Sequence, residues 1–182
     1  MKPYIQGELD GFCGIYSVIN ATKLVTGRVK EDEAIQLFGA IMTYLETYKK
    51  LSGTAIKGHY ARDIEKILKH VIGPRFHIRY DRPFRVGKTP SQGVFFSCLE
   101  GFLNDTIKTA VIVYLEHEGW DHWSVITRVT PKTIEFFDSD NLTRISINRC
   151  VMKKGKKDSH YFFPARKCFV IWKDIKTKKA RI

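Results

Sequence analysis

The chain has 182 residues, of which 43% are hydrophobic, 13% aromatic and 27% charged. This size and composition favour one compact domain over residues 1–182 and exclude a disordered chain. No apolar run approaches the roughly 20 residues that a membrane-spanning helix needs, and the N-terminus has no apolar signal-peptide core. We therefore expect no transmembrane segment and a cytoplasmic protein, with export by a route that needs no cleaved signal left open.

The net charge of +12 is concentrated near the C-terminus. Residues 150–182 hold 11 Lys/Arg and 2 Asp/Glu, whereas residues 1–149 hold 20 and 17. The simplest interpretation of the lysine-rich stretch 153–157 and of the tail is a solvated loop and a frayed terminus. They could also attract an acidic partner or an anionic membrane face. Because they lack interleaved aromatic residues that stack on bases, we do not expect nucleic acid to bind.

The chain up to about residue 105 has mostly helical periodicity. Predicted helices cover residues 12–24, 31–51, 59–71 and 92–104, with a short strand at 76–80 and a loop at 82–90. Gly27 is expected to end the first helix, and Gly73 with Pro74 the third. Cys98 is expected on the apolar side of the fourth helix and therefore in the core.

From about residue 106 the pattern becomes that of strands. Apolar or alternating runs predict strands at 110–115, 123–129, 133–137, 145–147 and 168–172, with a hairpin turn at 130–132. Helices followed by antiparallel strands predict an α+β domain. Its helical part covers about 1–105, its sheet part about 106–173, and a basic tail follows at 174–182.

Cys13 lies at the first turn of the first predicted helix. Unpaired backbone N–H groups and the helix dipole stabilise negative charge there, so the position suits a thiolate nucleophile. The same N–H groups can face a developing oxyanion. Gly11 and Gly14 leave the sulfur open to a substrate backbone. A small core residue is the alternative interpretation of Cys13 taken alone.

A nucleophilic cysteine needs a base that is distant in sequence and near in space. His122 lies at the head of one predicted strand, and Asp138 at the end of the next, 16 residues later. The hairpin turn between them brings these two strand ends side by side. Asp138 can then accept a hydrogen bond from the imidazole and fix its tautomer. A partly exposed histidine beside a turn aspartate is the alternative interpretation of the isolated pair.

The short segments around Cys13, His122 and Asp138, in this order, resemble the papain-like cysteine peptidase superfamily. The likeness is greatest to the small bacterial branch that includes bacteriocin-leader-processing peptidases, and there is also similarity to bacterial effector deamidases. The resemblance implies a helical half that carries the nucleophile, packed on an antiparallel sheet. It also implies that Gln6, with the backbone N–H of Cys13, stabilises the oxyanion. Gln6 lies seven positions before Cys13, one more than in the family's pattern.

Asp140 and Asp121 compete with Asp138 as the residue that orients the base. Asp121 adjoins His122, so in an extended strand its side chain points away. Asp140 and Asn141 have the character of turn formers. Asp138 is therefore preferred.

Other side chains in the same region offer further interpretations. Trp120 and Trp123 flank the base and can either wall a substrate cleft, together with Gly11, or serve ordinary sheet packing. The histidines His59, His70, His77 and His160 are expected to be surface or packing residues. The acidic and histidine residues between 116 and 122 lack the spacing of a metal site, so we expect no metal and no cofactor.

The remaining cysteines form no C-x-x-C pair, so no zinc ribbon or thioredoxin-like motif is present. Without a signal peptide, four free thiols are expected, with Cys150 and Cys168 structural.

The leading hypothesis is thiol-dependent hydrolysis of an amide bond in a protein or peptide. The same constellation suits deamidation or transamidation of a protein glutamine. The third hypothesis is an inactive binding module with a basic C-terminal surface.

Overall fold

The computed structural model describes residues 1–7, 10–48, 51, 58–105, 107–155 and 160–174. Its helices are α1 (Cys13–Thr26), α2 (Glu31–Glu46), α3 (Ala61–Ile67), α4 (Gly73–Phe76) and α5 (Gln92–Leu103). Its strands are β1 (Ile78–Asp81), β2 (Thr109–His117), β3 (Trp120–Val129), β4 (Thr133–Phe136), β5 (Arg144–Ser146), β6 (Cys150–Val151), β7 (Tyr161–Phe162) and β8 (Cys168–Lys173). This mixture of helices and a largely antiparallel sheet agrees with the α+β class.

The first two helices differ from the sequence predictions mainly at their ends. Gly27 ends α1 as predicted, in the left-handed conformation with φ of 68°, and its N–H donates to the carbonyl of Lys23. The predicted second helix was too long, because α2 ends at Glu46 and residues 47 and 48 form a turn.

The third helix does not end at Gly73 and Pro74, so that prediction was wrong. Residues Leu68–Ile72 continue α3 as a π-helix, and α4 follows directly. A π-turn inserts one extra residue, which shifts the buried face from Val71 to Ile72. Pro74 is tolerated because it lies in the first turn of α4, where no intrahelical bond needs its N–H.

Within the described residues, the strands form one sheet in the order β1-β8-β2-β3-β4-β5, and every neighbouring pair on this path is antiparallel. The short strands β6 and β7 pair in parallel, and β7 also pairs with β2. These two short strands were missed, because two-residue strands carry no alternation that a pattern can reveal.

The sheet is covered by helices on both faces. Helix α1 packs against β2 and β3, and with α2 and α3 it builds one core. Helix α5 packs on the opposite face of the same strands and builds a second core. The helix that begins at Cys13 therefore lies on one face of the sheet only, and α5 does not belong to the same helical layer.

Cys98 is exposed, so its predicted place in the core was wrong. The buried residues of α5 are Phe95, Phe96 and Leu99, and at 100° per residue Cys98 lies outside their arc. Cys13, Cys150 and Cys168 are buried, and all four thiols are free.

The segment 156–159 and residues 175–182, with most of the basic tail, lie outside the described residues. Lys154, which is described, pairs with Glu116 at 2.7 Å. No helix among the described parts of the chain is long and apolar enough to cross a membrane.

Candidate active site

Cys13 is the first residue of α1, as the sequence predicted. Helical bonds begin with the N–H groups of Ile15 and Tyr16, which both donate to the carbonyl of Phe12. The N–H groups of Cys13 and Gly14 precede these bonds, at the end where the helix dipole is positive. The Cys13 side chain is 9% exposed and lines a cavity of about 380 Å³. The sulfur therefore has both access to a ligand and an environment that stabilises negative charge.

Gly14 allows α1 to lie close against the residues before and within α3. A Cβ atom at position 14 would lie 2.9 Å from Cδ1 of Ile64 and 3.0 Å from Cβ of His59. These separations are shorter than carbon–carbon contact, so a side chain here would displace one of the two neighbours. The glycine thus fixes where the start of α1, and with it Cys13, sits over the sheet.

His122 lies in β3 and is 2% exposed. Its Nε2 atom lies 2.7 Å from Oδ2 of Asp138, and His122 lines the same cavity as Cys13. Because Nε2 is engaged by Asp138, Nδ1 is the ring nitrogen left for Cys13. The three side chains therefore lie together in the order thiol, imidazole, carboxylate.

The surroundings of His122 favour its charged form. Burial lowers the pKa of the imidazole, but the hydrogen bonds and charges of Asp138 and Cys13 outweigh burial and raise that pKa to about 9. At neutral pH the ring is therefore an imidazolium, which can pair with a thiolate and give up a proton.

Asp138 follows β4, and the N–H of Phe137 donates to the carbonyl of Val125, so the chain still runs beside β3 there. Asp138 is 3% exposed, and its Oδ1 accepts the backbone N–H groups of Asp140 at 2.7 Å and Leu142 at 3.1 Å. Burial raises the pKa of this carboxyl, but the hydrogen bond and charge of His122 and the bond from the Asp140 backbone outweigh burial and hold that pKa below its usual range. A carboxylate with these donors stays ionised beside the ring.

The two competing carboxylates occupy other positions. Asp140 is exposed, and its backbone N–H donates to Asp138. Asp121 is also exposed and accepts a hydrogen bond from the Tyr114 hydroxyl. Both line the cavity, but the carboxylate at hydrogen-bond distance from His122 belongs to Asp138.

The two tryptophans have different roles in the structure. The Trp120 ring stacks on the His122 ring, with centroids 4.9 Å apart and planes 19° from parallel. Trp123 is 1% exposed and packs in the core, where its Nε1 donates to the carbonyl of His59 at 2.9 Å. Both line the cavity, as does Gly11. Trp120 thus covers the base and excludes water from one face of it, whereas Trp123 supports the wall from behind.

Gln6 lines the same cavity as Cys13. Its Nε2 donates to the carbonyl of Asp10 at 3.2 Å, and its Oε1 accepts from the Ser139 hydroxyl at 3.2 Å. The Asp10 carboxylate accepts the N–H groups of Gly7 at 3.0 Å and Phe12 at 3.0 Å. Asp10 therefore bonds to the chain on both sides of itself, at Gly7 and at Phe12.

The sequence did not point to several residues that shape the site. Ser17 donates to the carbonyl of Trp123 at 2.6 Å. His59 agrees with the packing interpretation, since it is 5% exposed, and it also forms part of the cavity wall. Lys167 also lines the cavity, with its ammonium 3.5 Å from the centroid of the Tyr114 ring. Lys167 and Tyr114 lie too far apart in sequence for a local pattern to connect them.

The other histidines lie elsewhere. His70 and His77 are exposed, and the His70 ring stacks on Tyr44. His160 is exposed and borders a second cavity. Among the residues that the structure describes, no group of three or more His, Cys, Asp or Glu side chains could hold a metal ion.

Comparisons with protein-family models, with curated proteins and with solved structures found no match for this chain.

Proposed function

We propose that this protein is a papain-like cysteine hydrolase that cleaves amide bonds in a protein or peptide substrate. The observation that carries the proposal is the placement of Cys13 and His122 in the lining of one open cavity, with the His122 ring 2.7 Å from the buried carboxylate of Asp138. A thiol at a helix N-terminus, a base with a raised pKa and a third group that orients the base are the parts that thiol catalysis requires.

In the first half-reaction the Cys13 thiolate attacks the carbonyl carbon of the scissile amide. A carbon–sulfur bond forms, and the carbonyl electron pair moves to oxygen. The N–H of Cys13 and the side-chain amide of Gln6 are the donors for this oxyanion. When the electron pair returns, the carbon–nitrogen bond breaks, and the imidazolium of His122 gives its proton to the leaving amine.

In the second half-reaction water replaces the amine. His122, now neutral, takes a proton from water as the oxygen attacks the thioester carbon. The carbon–sulfur bond breaks, the acid product leaves, and the thiolate and imidazolium are restored. Asp138 stays ionised throughout and holds the ring so that Nδ1 faces the sulfur.

The architecture supports the same proposal. The proposed nucleophile belongs to a helix on one face of the sheet, while the proposed base lies in β3 and its partner follows the adjacent strand β4. This division matches the papain-like arrangement that the sequence motifs suggested.

The shape of the site supports a polymeric substrate. A second cavity of about 360 Å³ shares Tyr114, Trp120 and Asp121 with the cavity at Cys13. A substrate chain that passes Cys13 could extend over these shared residues into the second cavity.

Selective alkylation tests the proposal directly. The protein is treated with sub-stoichiometric iodoacetamide near neutral pH, and the labelled cysteine is mapped by mass spectrometry. We expect Cys13 to react before the exposed Cys98, and the preference to disappear in His122→Ala. The matched control is His70→Ala, which removes an exposed histidine and should leave the preference intact. Preferential labelling of Cys98, or equal labelling of all four thiols, would contradict the proposal.

Substrate turnover separates the reactions that this triad can perform. Candidate proteins are incubated with wild type and with Cys13→Ala and then weighed by mass spectrometry. Chain cleavage that depends on Cys13 supports a peptidase. A gain of about one dalton without cleavage would instead indicate deamidation of a glutamine.

A further inference from the structure

Two hydrogen bonds join Gln6 to the loop that carries Asp138. The backbone N–H of Gln6 donates to the carbonyl of Ser139 at 3.0 Å, and the Ser139 hydroxyl donates to Oε1 of Gln6 at 3.2 Å. Ser139 is 1% exposed and directly follows the residue that orients the base. A single turn of chain therefore contacts both the base and the expected oxyanion donor.

The partners of the Gln6 side chain define which way its amide points. The carbonyl of Asp10 can only accept, so it requires the NH₂ group on its side, at 3.2 Å. Oε1 then faces Ser139, whose hydroxyl can donate. With the amide turned over, Oε1 would oppose the Asp10 carbonyl, and two acceptors would face each other. Of the two hydrogens on Nε2, one is used by Asp10, and the other is available to a ligand in the cavity.

We infer that Ser139 is a positioning residue, which holds Oε1 of Gln6 away from the cavity so that Nε2 presents a hydrogen to the oxyanion. This inference rests on the proposed function. It extends that function, because the loop 138–142 then positions both the base His122 and the oxyanion donor Gln6. Ser139 itself does not touch the reacting atoms.

The kinetic test is a double-mutant cycle on Cys13-dependent turnover. Ser139→Ala removes one neutral hydrogen bond, and we expect kcat to fall by about 5- to 20-fold with KM nearly unchanged. In the Gln6→Ala background the same change should cost less than about twofold, because the group that Ser139 positions is already gone. The control is Thr22→Val, which removes a buried hydroxyl bonded to the Val18 carbonyl and should leave kcat unaltered.

A second readout needs no substrate. The side-chain amide signals of Gln6 are assigned in a ¹⁵N-labelled sample by their loss in Gln6→Ala. In Ser139→Ala we expect these signals to shift and broaden, because the amide loses one of its two described hydrogen bonds and is held less firmly, while Thr22→Val leaves them in place.

The outcomes separate the two proposals. Unchanged Gln6 signals in Ser139→Ala, or an equal loss of kcat in both backgrounds of an active enzyme, would overturn the inference alone. A wild-type protein without Cys13-dependent turnover would overturn the proposed function and, with it, the positioning role of Ser139.

Discussion

Ser17 donates a hydrogen bond to the carbonyl oxygen of Trp123 at 2.6 Å, across a separation of 106 residues. Ser17 lies one helical turn after Cys13, and Trp123 directly follows His122 in the chain. Both Ser17 and Trp123 are 1% exposed, so water does not compete for this bond. The bond ties the helix of the nucleophile to the strand of the base and sets their relative position.

Replacing Ser17 should therefore affect both stability and activity. In Ser17→Ala the Trp123 carbonyl loses a buried donor, and we expect the free energy of unfolding to fall by about 1–3 kcal/mol. Alkylation of Cys13 should also slow, because α1 is less firmly held against β3. Urea denaturation and the alkylation rate measure the two effects. Ser97→Ala, at an exposed position of α5, should change unfolding by less than about 0.5 kcal/mol. Equal effects of the two substitutions would show that this bond is unimportant.

Asp138 and Asp140 should differ in their effect on turnover. In Asp138→Asn the imidazole loses its charged partner, and we expect kcat to fall by roughly 10- to 100-fold. The loss should be smaller than in Cys13→Ala, which has no nucleophile. Asp140→Asn keeps the backbone N–H that donates to Asp138 and should remain within about twofold of wild type. A larger loss in Asp140→Asn would reassign the orienting role.

The alkaline limit of activity should follow His122. Its pKa of about 9 means that the imidazolium, which protonates the leaving amine, is lost as pH rises through that value. We expect kcat to decline above about pH 9 in wild type. In Asp138→Asn the decline should begin at lower pH, because the hydrogen bond and the charge that raise the His122 pKa are weakened or lost. A profile with the same alkaline limit in both proteins would contradict this assignment.

His122 and Asp138 should also make the free energy of unfolding depend on pH. It should fall at alkaline pH because of His122 and at acidic pH because of Asp138. The His122 pKa is raised from 6.5 to about 9, so its contribution is complete below pH 6.5 and is lost as pH rises to about 9. The Asp138 pKa is lowered from 3.8, so its contribution is complete above that pH and is lost as pH falls through the lowered value. The stabilisation by the two residues together is therefore greatest between pH 3.8 and pH 6.5.

Urea midpoints of wild type and His122→Ala across pH 4 to 9 would measure this dependence. The difference between them should be flat up to about pH 6.5 and shrink towards pH 9. Ser97→Ala, at an exposed position without a titratable side chain, serves as the control and should show no such trend. A difference that grows with pH would contradict the raised pKa.

Gly14 offers a test of the packing that places the nucleophile. In Gly14→Ala the new methyl group meets Ile64 and His59, and we expect the free energy of unfolding to fall by about 1–3 kcal/mol. Cys13 should also alkylate more slowly as the start of α1 moves. Gly39→Ala is the matched control, since its Cβ would meet no atom within 4 Å in helix α2. Gly39→Ala should raise the free energy of unfolding by about 0.5–1 kcal/mol.

The parts of the fold that a sequence pattern can predict are those with local causes. The helix that starts at Cys13 and the strands around His122 follow from apolar periodicity, and their hairpin brings the ends of β3 and β4 together. The continuation of α3 through Gly73 could not be predicted, because a π-turn has no sequence signature and Pro74 falls in the first turn of α4, where proline is tolerated. The placement of Cys98 failed because a weakly amphipathic helix does not show which of its faces is covered.

The residues of the candidate site also differ in whether the sequence alone could predict them. Cys13, His122 and Asp138 could be proposed from residue type and chain order alone. The bonds of Ser17, Ser139 and Asp10 could not, since each depends on where a backbone carbonyl or amide from a distant segment lies. Lys167 and His59 reach the cavity only through tertiary packing.

The place of the last described strand in the sheet has a consequence for the newly made polypeptide. Strand β8 is an inner strand, inserted between β1 and β2, although it is synthesised after both. The segments that carry Cys13, His122 and Asp138 are therefore all synthesised before the strand that fills the inner position, so the sheet beneath α1 can close only once residues 168–173 have been added.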